Sequence, residues 1–317
     1  MKTEKDVRKL IFGIFAGILW ALETVTLSAA LSHASFGGLA VAAPFFSTFL
    51  HDLLSAIWIG GFNTVRGRPL GALRALKTGG GRLVALAALA GGPVGMTGYV
   101  LAVNSLGSSL GAVASAVYPA VGAVLAYFVL KEKLRWYRWV FLLLTLGGVY
   151  GLSFTPGVEA GNYLLGVLGA LACSLGWGTE AVILAKGMKT NGVSHEFALQ
   201  IRQSVSAAAF AVILLPISIA YRGRLSEIKT EKAFFVLLAL AALFAACSYL
   251  CYYRAITSIG AARAMALNVT YSAWAVVFTV LIFRDHSLLR PLPIICTVLV
   301  IVCGLLAGVD LKAARNE

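Results

Sequence analysis

Charge is what this sequence has least of. Charged residues make up 12% of its 317 residues and hydrophobic ones 60%, roughly half the charged share of a soluble domain. A solvated globular surface is thereby excluded. Acidic residues are the scarcer sign, 13 against 26 Lys and Arg for a net charge of +13. The bases sit in short segments between apolar runs, which does not suit a nucleic-acid partner. Cysteine is sparse too. Cys173, Cys247, Cys251, Cys296 and Cys303 all lie within apolar runs, where a thiol behaves as a small hydrophobe. Cys247 and Cys251 are a turn apart, but no His or acid nearby completes a metal set. No metal or other cofactor is expected. A Walker phosphate loop is missing, as are His-Glu-x-x-His and Gly-x-Ser-x-Gly patterns. These absences argue against ATP hydrolysis and against an intramembrane lipid-modifying enzyme, so the chain is not expected to be an enzyme.

What is present is hydrophobic length. Ten apolar runs, near 10–31, 39–62, 82–103, 107–130, 136–154, 162–185, 197–220, 233–256, 260–283 and 291–311, each approach the ~20 residues that cross a bilayer as a helix. The runs are continuous rather than alternating with period two, which excludes a β-barrel. The expected fold is an all-α polytopic membrane protein of ten transmembrane helices. The first run exceeds the ~7–15 apolar residues of a signal peptide and contains Glu23, so it reads as an uncleaved span. Gly13/Gly17, Gly107/Gly111 and Gly147/Gly151 have the small-xxx-small spacing of closely packed membrane helices. Pro93 and Pro119 fall inside runs and predict kinks whose freed backbone groups need protein or cavity partners.

Lys and Arg placement predicts orientation. With a cytoplasmic N-terminus, every Lys and Arg of the first five spans falls inside, Arg66, Arg68, Arg74 and Lys77 among them, which satisfies the positive-inside rule. The second half is balanced. Both termini are expected in the cytoplasm of a bacterial inner membrane. Five spans per half would place two related halves in opposite orientations, and an internal repeat is visible. Trp20-Ala21-Leu22-Glu23 recurs as Trp177-Gly178-Thr179-Glu180. Tyr99…Ser105-Leu106-Gly107…Tyr118 aligns at one constant offset with Tyr252…Ser258-Ile259-Gly260…Tyr271, and Lys131-Glu132 with Arg284-Asp285. The predicted halves are 1–155 (spans one to five) and 156–317 (spans six to ten). Inverted repeats are a transporter signature, with the site near the midplane. A chain holding both halves needs no partner to complete that site; a monomer suffices and a dimer is compatible.

An acid inside a bilayer is costly and marks function by default. Glu23 and Glu180 each lie three residues after a tryptophan, so ring and carboxylate share a helix face. Asn268, Tyr271 and Trp274 recur every three residues on span nine, Tyr118 matches Tyr271 in span four, and Tyr252 and Tyr253 lie on span eight. Single membrane aromatics are more often packing or interfacial residues. Trp20 and Trp177 differ in lying turns away from an interface and beside an acid. Rings around a carboxylate suit a quaternary ammonium, which has no N–H to donate; each ring contact contributes about 0.5–2 kcal/mol. A primary amine would call for more acceptors. His51 and Asp52 in span two, and Arg202 and Gln203 at the matching place in span seven, read first as a structural pairing of Asp52 with Arg202 and second as a proton relay.

These residues resemble a known group of proteins. The ten-span repeat is similar to the drug/metabolite transporter superfamily (EamA-like), and more narrowly the chain resembles LicB-type choline permeases, which supply choline for bacterial surface glycans. The likeness covers nearly the whole chain. Its most specific stretches are His51-Asp52-Leu53, Gly92-Pro93-Val94-Gly95-Met96, Ser115-Ala116-Val117-Tyr118-Pro119, Trp177-Gly178-Thr179-Glu180, Ile201-Arg202-Gln203, Ser248-Tyr249-Leu250-Cys251-Tyr252-Tyr253 and Leu267-Asn268-Val269-Thr270-Tyr271…Trp274. The resemblance implies an aromatic box for a trimethylammonium group from Trp20, Trp177, Tyr252 or Tyr253, Tyr271 and Trp274. Glu180 fits the pattern and Glu23 departs from it. The implied activity is secondary import of choline or a similar quaternary amine, coupled to membrane potential or protons. The alternative is an exporter of cationic drugs or amino acids in the same fold.

Overall fold

A computed structural model describes residues 2–37, 42–153, 162–220 and 222–309, with the side chains of 2–8, 107–115 and 224–226 outside the description. The chain is nearly all helical: α1 (Lys2–Ser32), α2 (Ala43–Val65), α3 (Gly71–Leu76), α4 (Gly79–Leu89), α5 (Thr97–Ser115), α6 (Tyr118–Leu130), α7 (Trp136–Ser153), α8 (Tyr163–Lys189), α9 (His195–Ala220), α10 (Lys232–Ile259), α11 (Ala261–Asn268), α12 (Tyr271–Phe283) and α13 (Pro291–Gly308). Among the described residues, eight helical segments are long and apolar enough to cross a membrane, and Tyr118–Leu130 is a shorter apolar helix. Large apolar side chains point outward, including Leu143, Leu164, Val212, Leu215 and Ile295. The polar residues Asp52, Glu180, Arg202 and Gln203 are buried. That inside-out distribution is the one a lipid solvent selects. The protein is a multi-pass membrane protein.

The two prolines act differently. Pro93 lies in a π-helical turn, Ala90–Met96, that joins α4 to α5. A wide turn of this kind accommodates the missing N–H and is common at functional sites. Pro119 makes no interior kink. It sits in the first turn of α6, just after a two-residue break at 116–117, where its absent N–H costs nothing. The expected loop between spans three and four, at 104–106, is likewise absent, because helical backbone continues through it. The chain still reverses, between Leu106 and Tyr118. Leu106 lies beside Gly166, whereas the Tyr118 carbonyl and Gly122 lie beside Gly178, twelve residues further along α8. In the second half the matching joint is open: Gly260 takes φ 94 between α10 and α11.

Close approach of backbones organises the bundle. Gly98 and Gly169 bring α5 and α8 together, since a Cβ on Gly169 would meet the Ala102 nitrogen at 2.7 Å and the Gly98 carbonyl at 2.8 Å. Gly13 and Gly17 of α1 face Leu267 and Thr270. Of the Gly147/Gly151 pair only Gly151 meets a neighbour, Cys296 of α13, while nothing lies near Gly147. The Gly107/Gly111 pair falls where side-chain surroundings are not described, and the boundary between the predicted halves, 155/156, lies outside the described residues.

The loops sort onto two sides. On one, β1 (Ala34–Ser35) pairs antiparallel with β2 (Lys229–Thr230), and His33 Nδ1 lies 2.7 Å from Glu231. On the other, Asn191 accepts the Gly80 N–H, His195 meets Thr257, and Glu132 accepts the N–H groups of Ala261 and Ala262. The largest apolar cluster lies toward this second side and includes Ile59, Leu184, Leu199, Ile256 and Met265. A small separate cluster lies toward the first side, around Ala30, Phe234 and Leu238.

Candidate substrate site

A cavity of about 140 Å³ opens where α1, α2, the π-helical turn, α6 and α8 through α12 converge. One wall is aromatic. Trp20 of α1 meets Tyr249 of α10 edge-on at 5.0 Å and Tyr271 of α12 at 6.4 Å. Trp177 of α8 stacks on Tyr99 of α5 and meets Tyr118 of α6 edge-on, each at 5.8 Å. Each tryptophan is thus flanked by two tyrosines from other helices. The Trp177 indole donates to the Gly91 carbonyl at 3.1 Å, in the widened turn around Pro93. That bond fixes the ring where an apolar side chain alone would leave it free to rotate. Asn268, at the end of α11, donates to the Tyr118 hydroxyl at 3.1 Å.

The other wall is ionic. Arg202 Nε donates to Glu180 at 2.7 Å, and its Nη1 reaches Asp52 at 3.4 Å and the Gln203 side-chain oxygen at 2.6 Å. Gln203 in turn donates to Ser55 at 2.8 Å. The Arg202 guanidinium also lies over the Tyr249 ring, 4.8 Å from its centre. Asp52 is 3.1 Å from His51 Nδ1, and His51 Nε2 is 3.3 Å from Glu23. A continuous chain of charged groups therefore runs from Glu23 through His51, Asp52 and Arg202 to Glu180, linking the two halves. Three carboxylates face one arginine and one histidine. The acids outnumber the bases in this wall by three to two.

The predicted residues Trp20, Glu23, His51, Asp52, Tyr118, Trp177, Glu180, Arg202, Tyr252, Tyr253, Asn268 and Tyr271 all line this cavity. Trp274 does not; it lies half-buried on α12 away from the cavity. Asn268 and Tyr271 line the cavity from either side of a break at Val269-Thr270, while Trp274, three residues further along the same helix as Tyr271, lies outside the lining. Gln203 stands behind the wall and braces Arg202. The pairing of Asp52 with Arg202 is present, but Arg202 is bonded more closely to Glu180, a partnership that residue spacing did not suggest. Tyr249, Thr48, Met96 and Ser248 also line the cavity and were not singled out. For Tyr249 the signal existed: it is one turn from Tyr252 and Tyr253 on the same helix. Among the described residues, no three His, Cys, Asp or Glu are placed to hold a metal ion.

The geometry agrees with what the chain is similar to. It is 27% identical to Protein LicB of Haemophilus influenzae over 304 residues, 92% of this chain and 94% of that protein. It is 30% identical to an uncharacterized transporter of Clostridium kluyveri over 167 residues, half of each chain. A solved crystal structure superposes on it with a TM-score of 0.71 at 20% identity, covering 98% of this chain and 99% of the other, and so shares its fold. The description of the EamA-like transporter family matches twice, over residues 7–154 and again over 164–307. With a multi-pass helical fold and a buried polar cavity at its centre, the chain belongs to the EamA-like transporter family.

Proposed function

We propose that this transporter is a secondary carrier importing choline or a closely similar quaternary ammonium compound, driven by membrane potential or protons. The observation that carries the reading is the cavity itself, with rings on one wall and an acid-rich ionic cluster on the other. Trp20, Tyr249 and Tyr271, or Trp177 and Tyr118, offer ring faces to a cation that donates no hydrogen bond, at about 0.5–2 kcal/mol per ring. The carboxylates supply longer-range attraction. The likeness to LicB-type choline permeases and the alignment with Protein LicB over most of both chains support the same substrate class.

The architecture that serves this role is a ten-span, five-plus-five inverted repeat, divided near residue 155, with both termini in the cytoplasm of a bacterial inner membrane. Several observations favour it. The family description fits each half once. The helices α6 and α12 are both 13 residues long and both end on a left-handed residue, Lys131 at φ 60 and Arg284 at φ 54. The Trp177–Tyr118 and Trp20–Tyr271 contacts are counterparts in the repeat. The loop carrying Arg66, Arg68, Arg74 and Lys77 lies on the closely packed side, which the positive-inside rule assigns to the cytoplasm.

Uptake of labelled choline into proteoliposomes tests the function. Saturable uptake is expected, inhibited by tetramethylammonium and much less by ethanolamine. Equal inhibition by ethanolamine, or movement of choline only outward from the cytoplasmic side, would replace this reading with that of a broad amine carrier or an exporter.

A further inference from the structure

A second cavity lies apart from the substrate site, at the closely packed side of the molecule. It encloses about 630 Å³ between the segment that follows α2 and the joint between α8 and α9. The first segment contributes Arg68 and Arg74 to its lining, and the joint contributes Asn191 and Ser194. Left-handed glycines turn both segments around it, Gly67 at φ 71 and Gly192 at φ 60. Phe197 of α9 is pinned against Gly71, where a Cβ would overlap its ring. The Arg68 guanidinium lies over that ring, 5.5 Å from its centre, so a fixed aromatic face positions the cation. Asn191 Oδ1 accepts the Gly80 N–H at 3.1 Å, which leaves the amide NH₂ as a donor. Among the described residues, no acid lines this cavity and neither guanidinium meets a carboxylate. Glu196, the nearest acid along the chain, bonds to Ser194 instead.

We propose that this second cavity holds the headgroup of an anionic phospholipid such as phosphatidylglycerol, drawn from the leaflet on its own side. Two guanidiniums without an acid between them call for an anion, and the planar fork of arginine matches phosphate oxygens in pairs. The neighbouring side chains indicate that the anion arrives on a lipid. Leu70 and Leu73 are each 54% exposed beside the arginines, and Val65, the last residue of α2, is 89% exposed. Water does not favour three bare aliphatic side chains around a basic cavity, whereas acyl chains beneath a headgroup do. Val65 also ends an apolar span, which sets the arginines at headgroup depth. The positive-inside rule assigns this side to the cytoplasm, and basic cavities between membrane helices on that side suit anionic headgroups. A bound headgroup would bridge the 67–78 segment to the joint at 190–194 and stabilise the packed side. The proposal stands independently of the choline reading, since no residue of this cavity lines the other.

Native mass spectrometry of the purified, delipidated full-length chain, titrated with phosphatidylglycerol, reads occupancy directly. Wild type should bind phosphatidylglycerol at least tenfold more tightly than phosphatidylethanolamine, whose headgroup carries no net charge. Arg68→Gln with Arg74→Gln should weaken phosphatidylglycerol binding at least tenfold, because each basic residue near an anionic surface contributes about fivefold. Arg222→Gln with Arg290→Gln removes the same charge from exposed positions on the opposite side and should leave binding unchanged. Both arginines of the cavity are exposed, so that variant should melt with wild type when no lipid is present, and added phosphatidylglycerol should raise the melting temperature of wild type alone. Equal losses in the two double variants would overturn the proposal by assigning binding to overall charge. Equal binding of the two lipids would overturn it as well. Displacement of phosphatidylglycerol by glycerol 3-phosphate at the same concentration would assign the cavity to a soluble phosphate compound instead of a lipid.

Discussion

At Gly91 a methyl group would overlap the Glu180 carboxylate, and at Gly92 it would overlap the Ser206 hydroxyl. The π-helical turn can lie against the ionic wall only because these positions carry no side chain. Gly91→Ala should accordingly weaken choline binding at least tenfold, or about 1.4 kcal/mol, although it removes no contact group; isothermal titration checks this. Glu180→Gln acts on stability first. It removes the nearest counter-ion of a buried guanidinium, and breaking such pairs costs about 3–5 kcal/mol. Asp52 and Gln203 still hold Arg202, so the lower end is expected, read as a clear loss of melting temperature. Glu23→Gln should cost much less, because His51 keeps Asp52. At this scale the sequence reveals which residues are costly in lipid, and most of those line the cavity. It does not reveal which acid Arg202 chooses, since that depends on how α8 and α9 meet. It also misleads at Trp274, because a three-residue step along α12 rotates by about 300° and the cavity meets that helix only at Tyr271.

Among the elements, α5 and α8 approach backbone to backbone, and glycine makes it possible. Gly169→Leu should destabilise the bundle, because its side chain would drive into the α5 backbone at Ala102; overpacking of this kind costs roughly 1–3 kcal/mol or more. Gly147→Leu, with nothing near the added group, should stay within about 0.5 kcal/mol of wild type. Thermal unfolding in detergent compares the two. The small-residue spacing at Gly147/Gly151 made both look like interface positions. Which glycine faces a neighbour depends on the rotation of α7 against α13, and spacing does not carry rotation. Hydropathy located nearly every helix because lipid requires apolar length. It could not locate the joints. The chain reverses between Leu106 and Tyr118, and the breaks before Tyr118 and Tyr271 fall inside apolar runs that read as continuous.

Among the described residues one side of the molecule is tightly packed, and a single carboxylate is well placed to hold it so. Glu132, just beyond α6, accepts the N–H groups of Ala261 at 3.0 Å and Ala262 at 3.1 Å, the first free donors of α11. It thereby joins the two halves at the side where Leu184, Ile256 and Met265 are packed. Its counterpart in the repeat, Asp285, is exposed and accepts the Ser287 N–H within its own loop. Charge-assisted hydrogen bonds contribute about 1.5–3 kcal/mol each in a protein, and the positive end of a helix adds a few tenths more. Both Glu132 bonds must break if α11 moves away from α6 to let substrate through. Glu132→Ala should then raise the open fraction of this side about tenfold or more, since about 1.4 kcal/mol is a factor of ten. A cysteine replacing Met188, one turn beyond Leu184 on the cavity face of α8 and buried in the closed form, reports the opening in a chain whose five native cysteines have been replaced. Its alkylation rate should rise about tenfold in Glu132→Ala and stay unchanged in Asp285→Ala. An unchanged rate in Glu132→Ala would assign closure of this side to the apolar cluster alone.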